Sequence, residues 1–139
     1  MTAGPAPVRA SAPGKLLLFG EYAVLAGGTA VVAAVDRRAR VLVEATDTED
    51  LHVAAPQLGL AGDGLVFDPD RPDRVLGLTG RLLARRLARY GIRASGLRIE
   101  IDTADLFDKD AAGTPVKLGL GSSAAVSAAL DAALAEAAG

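Results

Sequence analysis

Two glycines one residue apart, two adjacent serines and a nearby lysine stand together in Pro115-Val-Lys117-Leu-Gly119-Leu120-Gly121-Ser122-Ser123-Ala124, directly ahead of an Ala-rich run that reaches about Ala138. Glycines without Cβ let a ligand approach the backbone closely. The first turn of a helix leaves N–H groups without partners, at the positive end of the aligned peptide dipoles. Phosphate is the anion that such a turn suits. Serine hydroxyls can bond a phosphate oxygen or join the oxygen shell of Mg²⁺. The residue types therefore predict a nucleotide-phosphate cradle formed by Gly119, Leu120, Gly121, Ser122, Ser123 and Ala124. A serine pair also suits a simple helix N-cap. The flanking glycines favour the ligand, but sequence does not separate the two hydroxyls.

Two better-known cradles are excluded. Gly119-Leu-Gly121-Ser-Ser-Ala124 fits G-x-G-x-x-[GA], yet the dinucleotide fingerprint sits in a tight strand-to-helix turn. Here the nearest strand candidate, Leu97 to Thr103, lies well upstream across a polar loop. A Walker loop needs G-x-x-x-x-G-K-[ST]; Gly14-Lys15 is followed by Leu16 and lacks the earlier glycine.

A second segment, Ala12-Pro13-Gly14-Lys15-Leu-Leu-Leu-Phe19-Gly20-Glu21-Tyr22-Ala23-Val24-Leu25, is an apolar run entered through Pro-Gly and left through Gly-Glu. A charge beside such a run must reach water or a partner, because burying it unpaired is costly. Lys15 could snorkel outward, and Lys117 could be a solvated loop charge. Taken together, the two segments resemble the GHMP kinases, small-molecule kinases acting on galactose, homoserine, mevalonate and phosphomevalonate. That family carries an N-terminal motif like APGK…GE and a second of the form P-x-x-x-G-L-G-S-S-A. Both stand here in order, and the resemblance runs from about Val8 to Gly139.

The resemblance implies an α+β fold, the family's N-terminal domain, with a mixed sheet packed with helices. It implies ATP and Mg²⁺, with Ser123 the better metal ligand and Lys117 beside the phosphates. Lys15 takes the catalytic place near the acceptor hydroxyl and γ-phosphate, steadying developing negative charge. Glu21, Tyr22, Asp36 and Arg37 fall toward the acceptor. Within the family, Lys117-x-Gly-Leu-Gly-Ser-Ser and Gly20-Glu21-Tyr22-Ala23 look most like phosphomevalonate kinases, with mevalonate kinases next. The implied reaction is transfer from ATP to phosphomevalonate, or to mevalonate, each a small anionic acceptor, or else the reaction of another GHMP small-molecule kinase. GHMP kinases continue into a second domain that holds a third motif and a carboxylate near the acceptor. Residues 8–139 are accordingly expected to be a nucleotide-binding domain, inactive without a C-terminal kinase domain as its partner. No Asp in the acidic loop Asp105-Leu-Phe-Asp108-Lys-Asp110-Ala-Ala-Gly-Thr114 can be assigned as base. A reading from another class is a non-catalytic nucleotide-binding module.

Composition narrows the setting. The 139 residues carry a net charge of −2, no cysteine and one histidine, which leaves no disulfide framework, thiol nucleophile or His-rich metal site. His52 is expected to be structural. Arg74, Arg81, Arg85, Arg86, Arg89 and Arg93 lie mainly off an apolar helical stripe and lack interleaved aromatics, so they read as a solvated face and not a nucleic-acid site. No apolar run approaches the roughly 20 residues of a membrane helix. Residues 1–7 read as a loose tail without signal-like features, and a cytoplasmic enzyme is expected.

The elements that position these residues follow from periodicity. Strands are expected at Val8–Ser11 and Lys15–Phe19, around the Pro-Gly kink. Thr29–Val35 and Arg40–Ala45 read as a hairpin-like pair turning at Asp36-Arg37-Arg38, and Leu51–Ala55 as a short strand. Gln57 to Pro72 is rich in Gly, Asp and Pro and reads as a loop. Val75, Leu78 or Thr79, Leu82, Leu83, Leu87 and Tyr90 recur at helical steps, predicting a helix from Asp73 to Tyr90 that ends at Gly91. Leu97 to Thr103 alternates as a strand with one wet face. Val126, Leu130 and Leu134 give the last helix, Ser122 to about Ala138, its buried stripe.

Overall fold

The alternation that begins at Val8 continues without a break through the Pro-Gly kink. In the computed structural model, which describes residues 6–139, Val8–Phe19 is one strand, β1, rather than two. The tail expected over residues 1–7 lies outside the described residues except for Ala6 and Pro7, which have no regular structure. Val31–Ala45 is likewise one strand, β2, antiparallel to β1, so the expected turn at Asp36-Arg37-Arg38 does not form. Pro13 stands opposite Arg38 while Gly14 stands opposite Val35, which leaves Asp36 and Arg37 as extra residues in a bulge. Proline lacks the N–H that a regular ladder needs, and a bulge absorbs the mismatch. Charged residues that suit a turn suit a bulge equally well.

β3 (Leu51–Ala55) is as expected. The expected loop at Gln57–Pro72 contains a strand, β4 (Leu60–Val66), antiparallel to β3. β5 (Leu97–Asp102) buries Ile99 and Ile101 on one face. The sheet order is β1-β2-β5-β3-β4, with β3 and β5 parallel and the other neighbours antiparallel. This is the mixed sheet of an α+β fold, with helices packed against it.

The expected helix over Asp73–Tyr90 is broken. Gly77 adopts φ 51° and ψ −122°, which separates a short α1 (Asp73–Leu76) from α2 (Leu78–Tyr90). Leu83 and Leu87 are buried while Leu78 is exposed, so the buried stripe begins a turn later than expected; of Val75 only the backbone is described. Gly91 closes α2 in the left-handed region, as expected. The last helix, α3 (Ser122–Ala138), buries Val126, Leu130 and Leu134, with Ala125, Ala129 and Ala133 between them. Small residues on that face let α3 lie close to β1 and β2. Tyr90 Oη donates to Asp131 Oδ1 at 2.9 Å, and Arg86 Nε lies 2.9 Å from the same oxygen, tying α2 to α3.

The acidic loop is also more regular than expected. Phe107–Lys109 (β6) and Pro115–Lys117 (β7) pair as a small antiparallel hairpin. At the far ends of β1 and β2 and in their connection, Leu18, Phe19, Tyr22, Leu25 and Val32 are exposed.

Candidate phosphate-binding site

The two sequence segments meet. The Lys15 N–H donates to the Leu120 carbonyl at 2.8 Å, which fastens β1 to the loop ahead of α3. A Cβ on Gly14 would come within 2.9 Å of that same carbonyl, so glycine is needed for the approach. Gly121 caps α3 with φ 67° and ψ 41°, in the left-handed region that favours glycine. A Cβ there would lie 2.8 Å from Lys15 Cγ and 3.0 Å from Cε. The lysine stem therefore passes directly over Gly121.

This loop leaves donors free. Ala124 and Ala125 donate to the Gly121 carbonyl at 3.0 and 3.1 Å, so the Ala124 amide is already engaged in the helix. Among the described residues, the amides of Gly119, Leu120, Gly121, Ser122 and Ser123 meet no protein acceptor. Such N–H groups at a helix start are suited to phosphate oxygens. Ser122 is buried and Ser123 exposed, and the Ser123 carbonyl accepts from Ser127 Oγ at 2.7 Å.

Both serines and Lys117 line one cavity of about 220 Å³, together with Thr79 and Thr103. Leu58, Leu76, Leu78, Phe107 and Val126 form its apolar part. Phe107 also borders a wider recess of about 620 Å³ lined by Pro56, Gln57, Lys109 and Pro115. Gln57 Oε1 accepts from the Thr103 N–H at 3.0 Å, which joins the walls of the two spaces. Thr79 was read only as an alternative to Leu78 in the helical stripe, and a place for it, Thr103 or Gln57 at the site was not foreseen.

Other expected residues stand apart from this cavity. Glu21 and Tyr22 lie in the exposed turn after β1, and neither lines it. Asp36 and Arg37 occupy the β2 bulge, where Arg37 Nη1 donates to the Asp105 carbonyl at 3.3 Å. His52 is half-buried in β3, paired with Val66 and Arg98.

The free amides and the Cβ-excluding turn fit nucleotide phosphates. No group of three or more His, Cys, Asp or Glu residues that could hold a metal exists among the described residues. No helix among the described residues is long and apolar enough to cross a membrane.

No family model matches the chain. Among curated proteins, the mevalonate kinase of Methanothermobacter thermautotrophicus is 35% identical over 126 residues, 90% of this chain and 35% of that protein. The mevalonate kinase of Archaeoglobus fulgidus is 37% identical over 125 residues, again 90% of this chain and 36% of its own length. The chain thus spans little more than a third of the curated relatives it matches. Of solved structures, Methanococcus jannaschii mevalonate kinase superposes with a TM-score of 0.70 at 21% identity, covering 94% of this chain and 40% of that one. Streptococcus pneumoniae phosphomevalonate kinase, solved with phosphomevalonate and AMPPNP, superposes with a TM-score of 0.62 at 22% identity, covering 93% and 36%. These two likenesses carry the fold, and the curated relatives carry the kinship. With both motifs present and in contact, the chain belongs to the GHMP kinase superfamily.

Proposed function

We propose that this chain is the N-terminal nucleotide-binding domain, residues 8–139, of a cytoplasmic kinase that moves the γ-phosphoryl group of ATP to a mevalonate-type acceptor. The observation that carries the reading is the junction of the two motifs, Lys15 N–H on the Leu120 carbonyl with the lysine stem over Gly121. Free amides from Gly119 to Ser123 hold phosphate oxygens, and the Lys15 ammonium offsets charge as transfer proceeds. Phosphoryl transfer demands alignment and charge neutralisation more than covalent chemistry. Bound Mg²⁺, with Ser123 as one ligand, would neutralise phosphate charge.

Phosphomevalonate is the leading acceptor, because Lys117 opens on the same cavity as the cradle serines. Bringing a second phosphate beside ATP creates repulsion that a nearby cation offsets. In that reaction an acceptor phosphate oxygen bonds to the γ-phosphorus, the bond to the bridging oxygen breaks, and ADP leaves. Mevalonate is the second reading, favoured by curated relatives that are named mevalonate kinase. There a hydroxyl attacks and its proton must be taken up. In either case a C-terminal kinase domain supplies the opposite wall and acceptor carboxylate, packing on the exposed apolar ends of β1 and β2.

The test is ADP release by an enzyme of the relatives' full length containing these residues, with each acceptor offered separately. Turnover with phosphomevalonate, reduced about tenfold to a hundredfold in Lys117→Met, is expected. Turnover with mevalonate alone moves the assignment to the second reading. Saturable ATP binding with no transfer to either acceptor would leave another GHMP small-molecule kinase or a non-catalytic module.

A further inference from the structure

Lys117 stands at the end of a segment that touches the core at few points. From Asp108 to Lys117 every residue is exposed. At its root Leu106 is buried, and its Cδ2 would lie 3.1 Å from a Cβ on Gly14. The Leu118 N–H donates to the Leu106 carbonyl at 3.1 Å, so the residue after Lys117 is fastened to the residue after Asp105. Asp105 in turn is gripped from the sheet. Its Oδ2 lies 2.7 Å from Arg40 Nη2, and its carbonyl accepts from Arg37 Nη1 at 3.3 Å. Arg40 belongs to β2, paired with Ser11 of β1 and Asp102 of β5, and so is held by a strand on each side. Among the described residues this is the ion pair that joins the segment to the sheet.

We propose that Arg40 and Asp105 form a latch that holds the β6–β7 hairpin in place and thereby aims Lys117 at the phosphate cradle, making both positioning residues. An exposed ion pair adds little to global stability. Its effect is geometric, because ligand-facing groups lose effectiveness with displacements of about 1 Å. The role of Lys117 rests on the nucleotide reading above, whereas the latch itself does not.

Chemistry on the lysines reads both. The chain has three, Lys15, Lys109 and Lys117, so acylation by an amine-reactive reagent can be followed at each by mass spectrometry. With ATP alone as probe, Lys15 and Lys117 should be protected, and Lys109 at the hairpin's far end should not. Asp105→Asn should abolish protection at Lys117 while Lys15 keeps it. Exchanging the pair, Arg40→Asp with Asp105→Arg, should restore it. Unchanged protection of Lys117 in Asp105→Asn would overturn the proposal. Amide hydrogen exchange without ligand judges the latch independently. Faster exchange at Leu118 in Asp105→Asn, with α3 unaffected, supports it; equal rates in mutant and wild type overturn it. Failure of ATP to protect any lysine in the wild type would instead count against the nucleotide reading and against aiming at the cradle.

Discussion

Gly121 and Lys15 occupy each other's space so closely that any side chain at 121 displaces the lysine stem. That contact was legible as two separate motifs, because glycine spacing and adjacent hydroxyls carry chemistry wherever the chain places them. Gln57 and Thr103 were not legible, since their partnership exists only once β3 and β5 lie side by side. The serine pair divides at this scale: both line the cavity, but Ser122 is buried and Ser123 exposed. Ser123→Ala in the full-length enzyme should reduce turnover strongly while shifting unfolding by less than about 0.5 kcal/mol, the usual range for a surface change. Turnover at limiting Mg²⁺, compared with urea unfolding of the same protein, separates the two effects. Wild-type turnover would remove Ser123 from the site.

At the level of elements, α3 is a core helix whose first two residues, Ser122 and Ser123, carry two of the five free amides, the other three lying in the loop ahead of it. Leu130 and Leu134 are almost wholly buried beneath it. Leu130→Ala should destabilise the fold by about 2–5 kcal/mol, measurable by denaturant unfolding; a smaller change would mean that α3 is loosely docked. This helix was legible to its ends because its stripe is periodic. β4 and the β6–β7 hairpin were not, because Gly, Asp and Pro mark loops and short twisted strands alike. Continuous β1 and β2 were hidden by Pro13 and by the Asp36-Arg37 bulge, a feature fixed by pairing partners rather than local composition. The Asp105 carboxyl titrates below the ordinary aspartate range, chiefly through the hydrogen bond from Arg40 and also through its charge. A lowered folded-state pKa contributes stability above the unfolded value and loses it as pH falls through the folded one. Because the pair is exposed and contributes little to global stability, urea midpoints should decline only slightly more steeply in acid for wild type than for Asp105→Asn, and a steeper decline in the variant would contradict this.

Across the whole molecule, one core supports two unequal surfaces. The helical side is covered, whereas the tips of β1 and β2 present Phe19, Tyr22 and Leu25 to solvent. Exposed apolar residues gathered at one end of the sheet suit the packing proposed for a C-terminal domain. Purified residues 1–139 should bind a hydrophobic dye and self-associate with concentration, and monodisperse behaviour without dye binding would argue against an unpartnered face. The same polypeptide should bind ATP yet transfer no phosphate to mevalonate or phosphomevalonate, since the proposed opposite wall is absent from the assay. The central claim, a nucleotide cradle built from two distant motifs, is tested most directly by calorimetric titration of ATP with Mg²⁺ into the purified chain and its Gly121→Val variant. Circular dichroism would verify that the variant keeps its helices. Saturable binding by the wild type and none by the folded variant is the predicted result; equal binding by both, or none by either, would contradict the account.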